Sequence, residues 1–273
     1  MIFSARYLAL KHSIFGKRII SEPKNGIDLL RNLNKRHFER WGGNNDYYTR
    51  DDSIFAGTGL LISAHPNKNT YFNRKLWKWS YDPKDEKFTD KDGRFLGYDN
   101  KYTHSSGRCD TKDKVVIDVY KPGRIISKCT IPQEGPVAAI WIYFEEHPQD
   151  RHHPDRDVYF ELDIFESEPR KPESVDSKKG VIFTHWLGKY MSDAAHKTIW
   201  MFKRFSGTHY PELTWDGKGT FTWKLDGVCM KKVKLELPDN LEPYVIYSLG
   251  VATDLTVNSK FSVDWSRYEK YIR

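Results

Sequence analysis

The sequence predicts an all-β fold, a two-sheet β-sandwich of the jelly-roll type with one concave sheet. More than ten short runs rich in β-branched and aromatic residues alternate with turns, and no repeat period is visible. Thirteen Pro and eighteen Gly are scattered among these runs. The chain has 273 residues, within the range that a single all-β domain reaches. Because no linker interrupts the pattern, we expect one domain from residue 36 to residue 273.

The order of the elements can be read from the amino terminus. Residues 1–35 are expected to form an N-terminal extension that packs on the domain, with a short helix at the helical spacing of 27–33. Residues 53–64 (SIFAGTGLLISA) predict two strand pieces around a Gly-rich turn, and 82–94 predict a charged loop. The other predicted strands are Val115–Tyr120, Arg124–Thr130, Val137–Phe144, Val158–Glu166, Val181–Leu187, Thr198–Phe205, His209–Trp215, Thr220–Leu225, Tyr244–Ala252 and Phe261–Tyr268.

The charge distribution narrows the classes of partner. The net charge is +7, with Lys and Arg spread along the chain rather than gathered in blocks. A basic protein raises the question of nucleic acid, but no nucleic-acid motif is present and a mixed, solvated surface explains the charge. An anionic polysaccharide would also suit it. No run approaches the about 18 apolar residues that span a bilayer. We therefore expect no nucleic-acid or membrane partner, and a monomer.

Two features of the sequence contain residue types that bind metal ions. Cys109, Cys129 and Cys229 leave at least one thiol unpaired, and their spacing matches neither a disulfide framework nor a zinc motif. The loop 145–157 (EEHPQDRHHPDRD) holds three His and several acids. The alternative interpretation is a solvated connection between strands, which we favour because the His are not held at spacings set by a rigid element.

The most informative stretch is Tyr159–Glu166 (YFELDIFE), in which three acids interrupt an apolar strand. Side chains at i and i+2 share a face of a strand, so Glu161 and Asp163 point the same way and Glu166 points the opposite way. A single β-bulge inside Ile164-Phe165 would bring all three acids onto one face.

Such a face suits glycoside cleavage with retention, which needs a nucleophilic carboxylate and a second carboxyl about 5–5.5 Å away. On a flat strand the two Glu backbones would lie about 13 Å apart, so sheet curvature and side-chain reach must close the gap. Asp163 between them can help keep one Glu ionised and the other protonated. The alternative is an ordinary polar face of a half-exposed strand, although Asp and Glu are poor strand formers.

Aromatic residues make up 15% of the chain, including nine Trp, which fits a sugar site. Flat C–H faces of sugar rings pack on Trp and Tyr. Trp141 on the preceding strand, Tyr159 two residues before Glu161, and the pair His185-Trp186 on the following strand are candidate sugar contacts. Trp223 alternates with apolar neighbours and is expected in the core.

At these residues the sequence resembles glycoside hydrolase family sixteen, the concanavalin A-like jelly-roll group of laminarinase-like endo-β-glucanases and galactanases. Glu161, Asp163 and Glu166 match the bulged E-x-D-x-x-E signature. Further stretches match in order over about residues 40–268, namely SSGR at 105–108, KPGRIISK at 121–128, GPVAAIW at 135–141, HY through W at 209–215, WKLDG at 223–227 and FSVDWSRY at 261–268.

The resemblance implies a substrate cleft across the concave sheet and assigns roles. Glu161 would be the nucleophile, Glu166 the acid/base and Asp163 the assisting acid. Trp141 and Tyr159 would line the cleft, with His185 near the catalytic subsite. No cofactor is implied for catalysis, and a structural calcium ion is compatible with the family. Val137 and Tyr159 stand where the family often has Trp, which bears on the substrate rather than on the mechanism.

The expected function is endo-hydrolysis of a β-linked polysaccharide with retention, on a β-1,3-glucan-like substrate or an algal galactan such as agar or carrageenan. Two alternatives stay open: a non-hydrolytic carbohydrate-binding or virion attachment protein, and transglycosylation. The substrate class predicts an extracellular protein, yet Arg6 and Lys11 interrupt the first apolar stretch and make a poor signal peptide. Export by another route, a leader missing from the sequence, or a phage-encoded enzyme released by lysis would each explain this.

Overall fold

The computed structural model describes residues 20–36, 40–41, 47–49, 54–66, 72–73, 94–95, 104–132, 137–145, 159–167, 179–188, 196–202, 207–250 and 259–271. The helical content of these residues is one 3-10 turn, Leu29–Asn32. The described part of the chain has no helix that is long and apolar enough to cross a membrane. The strands in chain order are β1 (Ile27–Asp28), β2 (Asn34–Arg36), β3 (Arg40–Trp41), β4 (Tyr47–Thr49), β5 (Ile54–Ala56), β6 (Leu60–Pro66), β7 (Phe72–Asn73), β8 (Arg94–Phe95), β9 (His104–Ser106), β10 (Arg108–Asp110), β11 (Pro122–Ile131), β12 (Val137–Glu145), β13 (Tyr159–Ser167), β14 (Lys179–Gly188), β15 (His196–Phe202), β16 (Gly207–His209), β17 (Pro211–Asp216), β18 (Thr220–Leu225), β19 (Val228–Lys234), β20 (Tyr244–Gly250) and β21 (Ser259–Lys270).

Two large sheets, almost wholly antiparallel, make up the described part of the chain. The first sheet has the order β19-β18-β17-β11-β21-β6-β9-β4-β3, with β1, β5 and β16 paired at its sides. The second sheet has the order β15-β14-β13-β12-β20-β10-β2, and β7 pairs with β8 separately. Non-consecutive neighbours such as β11 and β21 show that strands return to the sheets after long connections. The predicted all-β jelly-roll sandwich is confirmed.

The core lies between the two sheets and follows the period of two that strands impose. In β18 the buried residues alternate with half-buried ones, so that Phe221, Trp223 and Leu225 face the second sheet. In β13, Phe160 and Leu162 face back toward them with no exposed area. Trp223 is fully buried, as its alternation with apolar neighbours predicted.

The segment expected as an N-terminal extension contributes strands to both sheets in its described part. β1 pairs with β21 of the first sheet, and β2 pairs with β10 of the second. The expected short helix is the 3-10 turn between them, where the Asp28 carboxylate accepts a hydrogen bond from the Leu30 backbone N–H at 3.1 Å. Leu29 and Leu30 are buried in the core. Residues 27–36 therefore belong to the sandwich, and residues 1–19 lie outside the described residues.

The predicted strand Val115–Tyr120 is an extended connection instead. Val115, Ile117 and Val119 are buried in the core, but the backbone N–H of Ile117 donates to the Pro243 carbonyl at 2.8 Å rather than to a ladder. The alternating apolar residues correctly predicted that this segment is buried. They did not show whether a neighbouring strand is there to form a ladder with it. Conversely, β19 was not predicted because its lysines mask the alternation. The strand pieces and the turn predicted in 53–64 are present as β5 and β6.

Candidate active site

Strand β13 carries a β-bulge in the middle of its run of acids. Against β12, the pairs are Ile140 with Phe165 and Trp141 with Asp163, so Ile164 has no partner. Against β14, the register also shifts between Leu162 and Glu166. The bulge predicted inside Ile164-Phe165 is therefore confirmed, with Ile164 as the extra residue.

The bulge places the three acids on one face. Directly paired residues of neighbouring strands share a face, and the partners of Glu161, Asp163 and Glu166 in β12 are Tyr143, Trp141 and Ala139. These three partners form a cluster separate from the core between the sheets. We call this side of the second sheet the carboxylate face, defined by Glu161, Asp163 and Glu166.

Burial differs among the three acids. Asp163, in the middle, is 4% exposed, whereas Glu161 and Glu166 are half-buried. The outer two carboxylates are thus the ones with partial access to solvent, and the middle one is enclosed. This is the arrangement needed if the outer pair reacts with a ligand and the middle acid acts on its neighbours.

An aromatic row lies alongside the acids. The rings of Trp141 and Tyr143 meet edge to face with centroids 5.3 Å apart, and Tyr143 meets Tyr244 of β20 in the same way at 5.8 Å. Ile246 of β20 completes this cluster. Trp141 was predicted as a site residue, and Tyr143 and Tyr244 were missed. The period of two from Trp141 along β12 could have identified Tyr143.

Two polar side chains hold Trp141 from the next strands. Its indole Nε1 donates to the Ser248 hydroxyl at 3.2 Å. The guanidinium carbon of Arg108 lies 5.6 Å from the centroid of the Trp141 ring, a cation–π distance. Arg108 pairs with Ser248, and Ser248 pairs with Ala139, so all of them lie on the carboxylate face. Arg108 therefore brings a positive charge to this face, which the sequence analysis did not predict.

His185 lies on the other face of β14, which corrects its predicted place beside the acids. It pairs with Leu162, a core residue, and its ring centroid is 6.3 Å from that of Trp223 in the opposite sheet. Leu162 lies between Glu161 and Asp163 in β13 and points to the opposite face, so alternation along the strand turns His185 toward the core as well. His185 is thus part of the packing beneath the acids and not part of the carboxylate face.

Tyr159 and Trp186, the other predicted sugar contacts, lie in β13 and β14 near Glu161 or paired with it. Tyr159 opens β13 and pairs with Gly188 of β14 and with Glu145 of β12. Trp186 pairs with Glu161 in the β13–β14 ladder. Both positions therefore adjoin the amino-terminal half of the acidic run.

A metal site has little support in the described residues. No group of three or more His, Cys, Asp or Glu that could hold an ion occurs among them. Calcium is also bound by backbone carbonyl oxygens, so the structural calcium ion that the family resemblance allows stays a prediction. The His-containing loop, apart from Glu145, lies outside the described residues.

Solved structures share this fold. No family model matches the chain, and no curated protein matches it in sequence. The laminarinase catalytic domain of Thermotoga maritima superposes with a TM-score of 0.59 and 16% identity, over 92% of this chain and 96% of that one. A glycoside hydrolase family 16 endo-glucanase from Bacteroides ovatus superposes with a TM-score of 0.55 and 13% identity, over 87% and 94% of the two chains.

A third structure belongs to the endo-acting O-glycanases with which prominent members of the human gut microbiota initiate mucin breakdown. It superposes with a TM-score of 0.60 and 17% identity over 93% of this chain and 92% of that one. These likenesses establish that the chain has the jelly-roll fold of glycoside hydrolase family sixteen, which the sequence resemblance implied.

Proposed function

We propose that this protein is a retaining endo-glycoside hydrolase that cleaves a β-linked polysaccharide. The observation that carries the proposal is the bulge at Ile164, which aligns Glu161, Asp163 and Glu166 on one face beside an aromatic row. Double displacement needs one carboxylate as the nucleophile and a second carboxyl as acid and base. The two half-buried acids on either side of the enclosed Asp163 can supply them. The shared fold with endo-glucanases supports the same conclusion.

The first chemical step forms a glycosyl ester. A carboxylate oxygen of Glu161 attacks the anomeric carbon while the bond from that carbon to the leaving oxygen breaks. Glu166, protonated, gives its proton to the leaving oxygen. Asp163 lies between them along β13 and is enclosed, and we assign it the role of the assisting acid.

The second step releases the sugar. Glu166, now a carboxylate, removes a proton from water as the water oxygen attacks the anomeric carbon. The ester bond to Glu161 breaks and its carboxylate is regenerated. Two inversions at the same carbon return the original configuration, so the product is the β-anomer.

Three classes of substrate are candidates. The structures sharing the fold include a laminarinase and endo-glucanases, which favours a β-1,3-glucan-like chain as the first candidate. The net charge of +7 favours a chain with anionic groups, as in carrageenan. The O-glycanase relative adds mucin O-glycans to the candidates.

The test is hydrolysis of a glycan panel by the wild type and by Glu161→Gln. The panel contains laminarin, mixed-linkage β-glucan, agar, carrageenan and mucin O-glycans, and new reducing ends are counted. We expect cleavage of at least one glycan by the wild type and a loss of at least about a thousandfold in the variant. Early products observed by NMR should be β-anomers. No cleavage of any panel member, or equal cleavage by the variant, contradicts the proposal.

A further inference from the structure

The bulge leaves the ladder between β13 and β14 broken beneath the acids. The last pair before the interruption is Leu162 with His185, and the next is Glu166 with Ile182. The stretch between them lies in the interior, where a backbone carbonyl without a donor costs free energy. Other groups must therefore donate to the carbonyls that the interruption releases.

Trp223 of the opposite sheet supplies one donor. Its indole Nε1 donates to the backbone carbonyl of Asp163 at 2.7 Å. Trp223 is fully buried, so the bond is shielded from competing water. The carbonyl that it holds belongs to the middle acid of the carboxylate face.

Lys231 supplies the second donor. Its Nζ donates to the backbone carbonyl of Phe183, which lies in the interrupted stretch of β14, at 2.8 Å. The same Nζ lies 5.0 Å from the centroid of the Trp223 ring. Lys231 and Trp223 are directly paired between β18 and β19, so one cross-strand pair reaches both sides of the break.

A lysine at this place needs a reason, because Lys231 is 9% exposed and lies against the core. Burial lowers the pKa of Lys231 to about 8, and the charge of Asp163 opposes this shift. The pair is thus electrostatically connected to the middle acid as well as hydrogen-bonded to the backbone around it. Keeping an amine here costs stability that an apolar residue would not.

We propose that Trp223 and Lys231 form a clamp, the bulge clamp, that holds the interrupted strands β13 and β14 from the opposite sheet and so positions the three carboxylates. The inference rests on the proposed glycoside hydrolysis for its catalytic consequence. Neither residue lies on the carboxylate face, so both are positioning residues that act through the backbone of Asp163 and Phe183. Misplacement of reacting groups by about 1 Å costs up to about a hundredfold in rate.

The chain offers a matched control for each half of the clamp. Trp215 is also buried, and its Nε1 donates to a backbone carbonyl, that of Asp118, at 3.0 Å. Trp215→Phe therefore removes the same kind of bond far from the bulge. Lys224 belongs to the same hairpin as Lys231 and pairs with Glu212 at 2.9 Å. Lys224→Met is accordingly the control for Lys231→Met.

The experiment compares the four variants with the wild type in two readouts. The first is kcat and KM on the best glycan of the panel, corrected for the folded fraction. The second is amide hydrogen exchange over residues 160–167, which needs no activity. We expect Trp223→Phe to lower kcat about ten- to a hundredfold with little change in KM, and to speed exchange in 160–167. Lys231→Met should act in the same direction, and both controls should match the wild type in both readouts.

The bulge clamp predicts both a lower kcat and faster amide hydrogen exchange in residues 160–167. Equal kcat, or equal exchange, in Trp223→Phe and Trp215→Phe overturns it, and if Trp223→Phe does not fold, the lysine pair decides by the same criteria. A wild type that cleaves no glycan refutes the proposed function alone. In that case faster exchange in Trp223→Phe than in Trp215→Phe supports the clamp as a device that holds the bulge, and equal exchange overturns it.

Discussion

Asp163 stands directly opposite Trp141 in the register of β12 and β13, and Ile164, one residue further on, is left unpaired. Without the bulge, the register that pairs Trp141 with Asp163 would turn Glu166 toward the core. One unpaired apolar residue therefore assembles the carboxylate face and aligns it with the aromatic row.

The assigned role of Glu166 predicts a dependence on the leaving group. Glu166→Ala removes the proton donor of the first step, so hydrolysis of a polysaccharide should fall by at least about a thousandfold. A glycoside with a dinitrophenolate leaving group needs no proton, and its first turnover should keep a rate close to that of the wild type. A burst of dinitrophenolate measured by absorbance tests this. Glu161→Ala is the comparison, because without the nucleophile no burst is expected; a burst there would reverse the two assignments.

Trp141→Phe should lower the proposed glycoside hydrolase activity without unfolding the protein. The substitution keeps an aromatic ring opposite Asp163 but loses the donor to Ser248. We expect kcat/KM to fall about tenfold, equivalent to about 1.4 kcal/mol of transition-state stabilisation. Ser248→Ala removes the same hydrogen bond and leaves the indole in place. A loss as large in Ser248→Ala would mean that the bond matters and the ring does not.

The lowered pKa of Lys231 predicts that the free energy of unfolding rises between about pH 8 and pH 10.5. Its pKa is about 8 in the folded protein and 10.5 as the ordinary value. Between these values the unfolded chain binds more protons, so the free energy of unfolding contributed by this group increases with pH. Below about pH 8 both states carry the proton and the contribution is constant. Urea unfolding at pH 7.5 and 9.5 should show a smaller gain in Lys231→Met than in Lys224→Met; an equal gain would contradict the assignment.

A network of hydroxyl groups between the sheets predicts that Ser266→Ala destabilises the protein more than Tyr247→Phe does. The Tyr247 hydroxyl of β20 donates to Ser266 of β21 at 2.7 Å, and Ser266 also shares a hydrogen bond of 2.7 Å with Ser127 of β11. Tyr247→Phe removes one bond and should cost about 1 kcal/mol. Ser266→Ala leaves the buried phenol without this acceptor and should cost about 2 to 3 kcal/mol.

Urea unfolding measures both values. Tyr271→Phe is the control, because Tyr271 follows β21 at an exposed position on the surface, where the loss of its hydroxyl should cost less than about 1 kcal/mol. A cost for Ser266→Ala no larger than that for Tyr247→Phe would contradict the network.

Much of the site could be predicted from the chain alone because it follows local periodicity. The acids of β13 and the bulge between them were predicted from a parity mismatch of five residues, and Trp141 from its place in the preceding strand. His185 could not be placed in this way. Its face depends on which residue of β13 it is paired with, and a register shift of one residue would turn it to the opposite face.

The sequence by itself determined the fold class, the strand that carries the acids and the need for a bulge, since each of these depends on spacings of a few residues. The tertiary structure decided what meets across the sandwich. The sequence pattern predicts only an ordinary core position for Trp223, and it does not distinguish Lys231 from the many surface lysines. Only the packing of the first sheet on the second brings their donors to the carbonyls of Asp163 and Phe183, because contacts between residues 60 and 48 positions apart depend on the whole arrangement of strands.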